Sequence, residues 1–287
     1  MSADDASWFT ERANGYGITL EIKGRLHDEQ TPFQRIEIFE TESFGRLMTL
    51  DGLVMLTSRD NFIYHEMMTH PVLFTHTNPK VVVVVGGGDC GTLQEVLKHQ
   101  QVRKAVQVEI DERVTRVSEE YFPELCAANG DPRAEFVFQD AIQWMREAGE
   151  ASLDVIILDT TDPVGQAARL FSPEFYADCL QALRDGGILV AQSESPLFNA
   201  ELIQHIHKSM REAGAADVAT IHFPQCTYPS GWWSATMARK GQQFKGFRET
   251  AARKKTFATR YYHADIHFAC QALPSFLGEA LEDLKRD

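Results

Sequence analysis

The sequence lacks long apolar runs and contains few cysteines. Its most uniform apolar run, Val81–Val85, is far shorter than the roughly 20 residues that a membrane-spanning helix needs. The first 15 residues are acidic and have no apolar core of the signal-peptide type. The five cysteines are scattered and form no Cys-x-x-Cys pair, which argues against a disulfide framework or a structural zinc site. We therefore expect a cytoplasmic protein with reduced thiols.

Positive charge is also scarce. The chain has 28 Lys and Arg against 41 Asp and Glu, a net charge of −13, which disfavours general nucleic-acid binding. Residues 240–260 are locally basic, and we interpret them as a solvated surface because the overall charge argues against a polyanion site. An acidic chain suits cationic ligands only if its acidic residues converge on one pocket; otherwise the charge serves solubility.

The first 60 residues have the pattern of a small β-region. Residues 33–39 alternate polar and apolar side chains, as a half-buried strand does. The runs 46–50 and 53–57 flank Asp51-Gly52, a pair that favours a tight hairpin. We expect an N-terminal β-strand domain over residues 1–62 and a second, catalytic domain over residues 63–287.

From residue 80 onward, apolar runs alternate with amphipathic segments. This alternation predicts an α/β fold, Rossmann-like and of the methyltransferase type, whose mostly parallel sheet carries helices on both faces. Ligands bind such sheets at the carboxyl ends of the strands. The predicted strands are Val81–Val85, Ala105–Ile110, Glu135–Phe138, Val155–Leu158 and Ile188–Ala191.

Polar and glycine residues follow several of these runs. The glycine-rich turn Gly86–Gly91 would let a ligand approach the backbone, and Glu109, about 20 residues later, is placed to bind ribose hydroxyls. Together they indicate a nucleoside site. Asp140 follows the third run, where it either accepts from an adenine amino group or caps the next helix.

Two carboxylates, Asp159 and Asp162, follow the fourth run on a loop stiffened by Pro163. Like charges held close raise the pKa of at least one of them, which makes a carboxylate a usable base. Outside the sheet, Tyr64 and His65 lie in an otherwise apolar stretch and Tyr228 lies in a Pro/Gly turn.

The combination of motifs is more specific than any one of them. In chain order they are NFIYHEMMTHP, GGGDCGTLQEVLKH, VEID, LDTTDPVG, VAQSESP and TYPSG. Together they resemble the spermidine synthase (polyamine aminopropyltransferase) family, over about residues 8–275.

The resemblance implies an aminopropyl transfer from decarboxylated S-adenosylmethionine to putrescine, giving spermidine and methylthioadenosine. The donor would be a co-substrate, and neither a metal nor another cofactor is expected because the sulfonium is already an activated leaving group. The resemblance further implies a homodimer or homotetramer assembled through the N-terminal strands, with small-molecule partners and no nucleic-acid or membrane partner.

The resemblance also implies roles for single residues. Asp159 would be the catalytic base, and Asp89 would face the amine of the donor. Glu194 and Trp8 are weaker candidates for the channel wall. The donor would be bound by Gln34, Asp89, Glu109, Asp140 and Ala141. The acceptor would be bound by Tyr64, His65, Asp89, Asp159, Asp162 and Tyr228.

Three alternatives remain open from the sequence. The acceptor could be cadaverine, agmatine or spermidine, since channel length cannot be inferred from these motifs. A methyltransferase would share the nucleoside site, but the acidic wall would repel the carboxylate of its donor. A polyamine-binding protein without catalysis could dispense with Asp159 and Tyr64, and both are present.

The sequence also departs from the usual family pattern. Cys90 replaces a glycine, Gln166 replaces a proline, and Ala168-Arg169 replace Glu-Ser. The last two changes fall in what resembles the loop over the active site, so we assign Gln166 no role.

Overall fold

A computed structural model describes residues 8–13, 15–161 and 165–283, with the backbone alone described for residues 13, 165–167 and 283.

The N-terminal region forms a five-stranded antiparallel sheet in the order β1-β2-β3-β4-β5. The predicted hairpin is confirmed: Leu50 pairs with Leu53, and Asp51 and Gly52 have φ of 50° and 81°, the left-handed values that a type I′ turn requires. The strands are β1 (Trp8–Ala13), β2 (Tyr16–Gln30), β3 (Arg35–Thr41), β4 (Arg46–Leu50) and β5 (Leu53–Thr57).

A second sheet has seven strands in the order β11-β12-β10-β9-β6-β7-β8. Five neighbouring strands are parallel, which confirms the mostly parallel prediction, whereas β12 and β11 add an antiparallel edge that the sequence analysis did not predict. The strands are β6 (Val81–Gly86), β7 (Lys104–Glu109), β8 (Ala134–Phe138), β9 (Leu153–Asp159), β10 (Leu183–Gln192), β11 (Asp217–Pro224) and β12 (Trp232–Arg239).

Helices cover both faces of this sheet because alternate strand residues point in opposite directions. Val82 and Ile157 belong to a core on one face, with side chains from the first two helices; Val83 and Ile156 belong to a core on the other face. The helices are α1 (Asn61–Thr75), α2 (Gly91–Leu97), α3 (Glu112–Tyr121), α4 (Ala141–Glu147), α5 (Pro173–Ala182), α6 (Ala200–Glu212), α7 (Glu249–Arg253), α8 (Ala264–Ala269) and α9 (Ser275–Asp283). Within the described ranges, none of these helices is long and apolar enough to cross a membrane.

A separate cluster joins the small sheet to α3 and the segment that follows it. Ile36, Ile38 and Met48 from its strands are buried together with Val114 of α3 and Phe122. This contact holds β3 and β4 against α3. The first sheet ends at Thr57 and α1 begins at Asn61; the division of the chain at residue 62 stays a prediction.

Candidate active site

The glycine turn after β6 is locked against the end of β9. Gly86 has φ 76°, and a Cβ there would lie 2.2 Å from the carbonyl oxygen of Asp159, so a larger residue has no room. The backbone N–H of Gly87 donates to the same oxygen over 2.7 Å. The turn that begins α2 and the predicted base are therefore held as one unit.

The carboxylate of Asp159 is buried and accepts two hydroxyl hydrogen bonds. Tyr64 donates to Oδ1 over 2.7 Å, and Thr92 donates to Oδ2 over 2.6 Å. Burial and the neighbouring charge of Asp89 raise the pKa of Asp159 above its ordinary value. A carboxylate whose pKa is raised binds a proton more strongly than a surface aspartate does.

A largely buried ion pair lies next to this carboxylate. His65 Nε2 is 3.1 Å from Asp89 Oδ1, and the backbone N–H of Gly91 donates to the same oxygen over 2.6 Å. Burial alone would lower the pKa of His65, but Asp89 reverses this effect and raises it to about 9. Burial opposes ionisation of Asp89 as well, and His65 nevertheless lowers its pKa. Both shifts favour the charged form of the pair.

The predicted ribose ligand lies beneath the glycine turn. A Cβ at Gly88 would be 3.0 Å from Glu109 Oε2, so the glycine leaves the carboxylate accessible from the turn. The N–H of Asp111 donates to Glu109 Oε1 over 2.9 Å, and burial raises the pKa of Glu109 to about 7. Gln34 Nε2 donates to Asp111 Oδ2 over 3.1 Å, which brings β3 to the same strand end.

Asp140 caps α4, one of the two roles that the sequence left open. Its Oδ1 accepts the N–H of Ile142 over 2.8 Å, and the residue is exposed at the carboxyl end of β8, with Ala141 beginning the helix. One carboxylate oxygen is used by the cap, so adenine binding by Asp140 and Ala141 stays a prediction.

A narrow cavity runs from Tyr64 toward the N-terminal sheet. The Tyr228 ring packs edge-on against Tyr64 and Trp233, with centroid distances of 5.7 and 4.7 Å, and its hydroxyl donates to the carbonyl of Met55. None of the described lining residues is a lysine or an arginine. The lining residues are Glu11, Leu53, Val54, Met55, Tyr64, Thr160, Thr161, Gln192, Tyr228, Pro229 and Trp233.

Four residues of this site were not predicted from the sequence. Gln192 ends β10, beside Asp159 on the adjacent strand, so the rule about strand ends could have identified it. Thr92 follows the glycine turn, and Glu11 lies on β1, where it accepts the N–H of Val54 over 2.7 Å. Trp233 lies on β12, one of the two antiparallel strands of the larger sheet, and the sequence carries no signal for its place in the cavity.

The remaining candidates fall outside the described lining of the cavity. Trp8 is half exposed on β1. Glu194 is buried with φ 56°, and its N–H donates to Gln192 Oε1 over 3.1 Å, so it orients a lining residue. Asp162 lies outside the described residues. Gln166 belongs to a 3₁₀ helix over Gly165–Phe171, of which only the backbone is described at this position.

Comparisons with known proteins match the whole chain. The family model described as the spermine/spermidine synthase domain matches residues 61–246, and the one described as the spermidine synthase tetramerisation domain matches residues 7–58. The polyamine aminopropyltransferase of Methylococcus capsulatus is 60% identical over 283 residues, which are 98% of this chain and 99% of that protein. The polyamine aminopropyltransferase of Thioalkalivibrio sulfidiphilus is 57% identical over 282 residues, with 98% and 99% covered.

Two solved structures have the same fold. A spermidine synthase in complex with the transition-state analogue AdoDATO aligns with a TM-score of 0.91 at 36% sequence identity, covering 96% of this chain and 94% of that one. The spermidine synthase of Thermotoga maritima aligns with a TM-score of 0.90 at 36% identity over the same shares.

Proposed function

We propose a specific reaction for this chain, which belongs to the spermine/spermidine synthase family and is a polyamine aminopropyltransferase. In this reaction, it transfers an aminopropyl group from decarboxylated S-adenosylmethionine to putrescine. The observation that carries this proposal is the acidic centre formed by Asp159 and the partly buried Asp89, which lies between a nucleoside-type strand end and a cavity whose described lining contains no lysine or arginine.

The donor half of the proposal rests on Glu109 and Asp89. A buried carboxylate at the end of β7 suits the two ribose hydroxyls of an adenosine. Decarboxylated S-adenosylmethionine carries a sulfonium and an ammonium, and Asp89 offers the ammonium a counter-charge at the start of α2. The solved relative bound to AdoDATO, a transition-state analogue, supports the choice of donor.

The acceptor half rests on the chemistry of the cavity. Its lining combines polar groups, Glu11, Gln192 and the hydroxyl of Tyr64, with the apolar surfaces of Leu53 and Trp233. A short α,ω-diamine matches this combination, because it has two cationic ends joined by methylene groups. Aromatic faces and carboxylates both stabilise ammonium ions out of water. Putrescine is the simplest ligand of this kind.

In the proposed reaction, Asp159 accepts a proton from the acceptor ammonium, whose ordinary pKa is roughly 10. The neutral nitrogen then attacks the aminopropyl carbon, a C–N bond forms, and the C–S bond breaks with its electrons on sulfur. The leaving group is neutral methylthioadenosine. Orientation and the fixed carboxylates would supply most of the acceleration. That no metal takes part stays a prediction.

The assembly is proposed on the N-terminal sheet. The match of residues 7–58 to the spermidine synthase tetramerisation domain supports a homo-oligomer, and we propose a homotetramer. Light scattering coupled to gel filtration would give about four times the chain mass of 32.4 kDa. A monomeric mass at micromolar concentration would contradict this part of the proposal.

Product analysis tests the reaction directly. The protein is incubated with decarboxylated S-adenosylmethionine and, separately, with putrescine, cadaverine, agmatine or spermidine, and the products are identified by mass. We expect methylthioadenosine and spermidine in equal amounts, with putrescine giving the highest kcat/KM. A higher kcat/KM with another amine would overturn the acceptor, and no methylthioadenosine with any amine would overturn the reaction.

A further inference from the structure

Thr92 makes a contact that the reaction described above does not use. It is the second residue of α2, directly after the glycine turn, and its side chain is fully buried. Threonine hydroxyls at such positions often bond to nearby backbone groups. Here the hydroxyl instead donates across to Asp159 Oδ2 on β9, over 2.6 Å, which is in the short range of hydrogen bonds to a carboxylate.

The two oxygens of Asp159 have different surroundings. Oδ1 accepts from Tyr64, which lines the acceptor cavity. Oδ2 accepts from Thr92, and a Cβ at Gly87 would lie only 2.8 Å from it. Oδ2 is therefore held against the start of α2, while Oδ1 is held by a residue that lines the acceptor cavity.

Both hydroxyls also oppose protonation of Asp159 in the substrate-free protein. Burial and Asp89 raise the pKa of Asp159, whereas the charge of His65 and the hydrogen bonds from Thr92 and Tyr64 lower it. A hydrogen bond donated to a carboxylate favours its charged form. Since a protonated carboxyl group cannot accept the proton of the amine, both donors favour the form of Asp159 that can act as a base.

We propose that Thr92 is a positioning residue for the base: its hydroxyl holds Oδ2, so that Asp159 stays ionised and presents Oδ1 to the attacking amine. This inference rests on the proposed function, in which Asp159 accepts the proton. Thr92 acts through Asp159 and does not itself touch the reacting atoms.

The test compares Thr92→Val with Thr92→Ser. Valine keeps the shape of threonine and removes the hydroxyl, whereas serine keeps the hydroxyl. Thr115→Val is the matched control, because Thr115 is a buried helical threonine whose hydroxyl has no hydrogen-bond partner within the described ranges. The readout is kcat against pH at saturating donor and putrescine, with KM measured at each pH.

For Thr92→Val we expect the acid limb of the kcat profile to move up by about one pH unit, the size that loss of one hydrogen bond to a charged group gives. KM for both substrates stays within about twofold. Thr92→Ser and Thr115→Val keep the wild-type limb. Thr92→Ala removes the same hydroxyl and must move the limb in the same direction, which covers the case that valine is not tolerated.

A uniform fall in kcat at every pH, with the limb unmoved, would show that Thr92 is merely structural and would overturn the inference. A Thr92→Ser enzyme that behaves like Thr92→Val would overturn it as well. If the wild-type protein forms no methylthioadenosine, the proposed function fails, and the effect on ionisation is still decided by ¹³C titration of the Asp159 carboxyl. An unchanged midpoint in Thr92→Val would then reject the effect of Thr92 on the charge of Asp159.

Discussion

At the scale of residues, the site depends on how buried charges offset one another. Asp159 is buried and Asp89 is partly buried, and a pair of unscreened carboxylates would be costly there. His65 supplies the offsetting positive charge to Asp89, while Tyr64 and Thr92 donate to Asp159. With Asp159 ionised beside this ion pair, the centre has a net negative charge, which favours a cationic donor.

The pH dependence of stability should reveal the His65–Asp89 pair. The pKa of His65 is raised to about 9, so its stabilisation is complete below about pH 6.5 and is lost as the pH rises through 9. Urea unfolding of wild type and His65→Gln at pH 6 and pH 10 measures this effect. We expect the difference in unfolding free energy to be larger at pH 6 by about 3 kcal/mol. Equal differences at the two pH values would refute the ion pair.

Donor affinity should increase with pH because of Glu109. Its pKa is raised to about 7, and the ionised carboxylate accepts ribose hydroxyls better than the protonated form. We expect methylthioadenosine to bind about tenfold more tightly at pH 8 than at pH 6, with proton release below pH 7. Calorimetry in two buffers of different ionisation enthalpy measures the affinity and the number of protons released. Glu109→Gln should abolish the pH dependence, and a flat profile in wild type would contradict the assignment.

At the scale of elements, the site depends on the start of α2 and its contact with α1. Gly91 begins α2, and a Cβ at this position would lie 2.2 Å from two ring atoms of His65 on α1. The two helices can approach only because this residue has no side chain. The same turn carries Asp89 and precedes Thr92, so a shift of one helix moves both contacts to the acidic centre.

Gly91→Ala should therefore lower activity more than the addition of a single methyl group would suggest. We expect kcat to fall by about 100-fold, because displacement of His65 or of the turn by about 1 Å misaligns the reacting groups. Gly24→Ala is the matched control, since a Cβ at Gly24 on β2 meets no atom within 4 Å. The control should keep kcat within about twofold of wild type. A Gly91→Ala enzyme with near-normal kcat would show that this helix contact is dispensable.

Some of these elements could be predicted from local sequence patterns, whereas the contacts between them could not. Continuous valines and isoleucines mark the buried parallel strands, and Asp51-Gly52 marks the hairpin, because these signals are local. The ion pair of His65 with Asp89 depends on the packing of α1 against α2. The two residues are 24 positions apart in sequence, and they belong to different motifs, so no local pattern predicts that they pair. Glu11 and Trp233 join the cavity only after the two sheets pack, so no local pattern predicts them. The family resemblance assigned binding and catalytic roles, which stay predictions, and it omitted Thr92, which donates a hydrogen bond to Asp159.

At the scale of the whole molecule, the net charge of −13 acquires a role once acidic groups converge on the site. The cavity lining contains Glu11 and no described lysine or arginine, and the centre adds two further carboxylates. An acidic surface around such an opening raises the local concentration of a dication. Several arginines are instead paired at the surface, as Arg113 is with Glu29 and Arg253 is with Glu249 and Asp265.

Salt should accordingly weaken capture of the diamine more than turnover. Raising ionic strength from about 0.02 M to about 0.5 M should lower kcat/KM for putrescine roughly three- to tenfold, because surface charges are screened over a shorter distance. The value of kcat at saturating diamine should change by less than about twofold. Steady-state kinetics with a series of salt concentrations measure both quantities. A kcat/KM that does not depend on salt would contradict a role for the long-range field.

Asp159→Asn tests whether Asp159 is the base for aminopropyl transfer. The measurement is a single turnover of enzyme loaded with decarboxylated S-adenosylmethionine and mixed with saturating putrescine, alongside the affinity for uncharged methylthioadenosine. We predict a transfer rate lower by about 10²- to 10⁴-fold, the range for loss of a general base, with methylthioadenosine binding within about threefold of wild type. A near-normal transfer rate in Asp159→Asn with that binding intact would contradict the account.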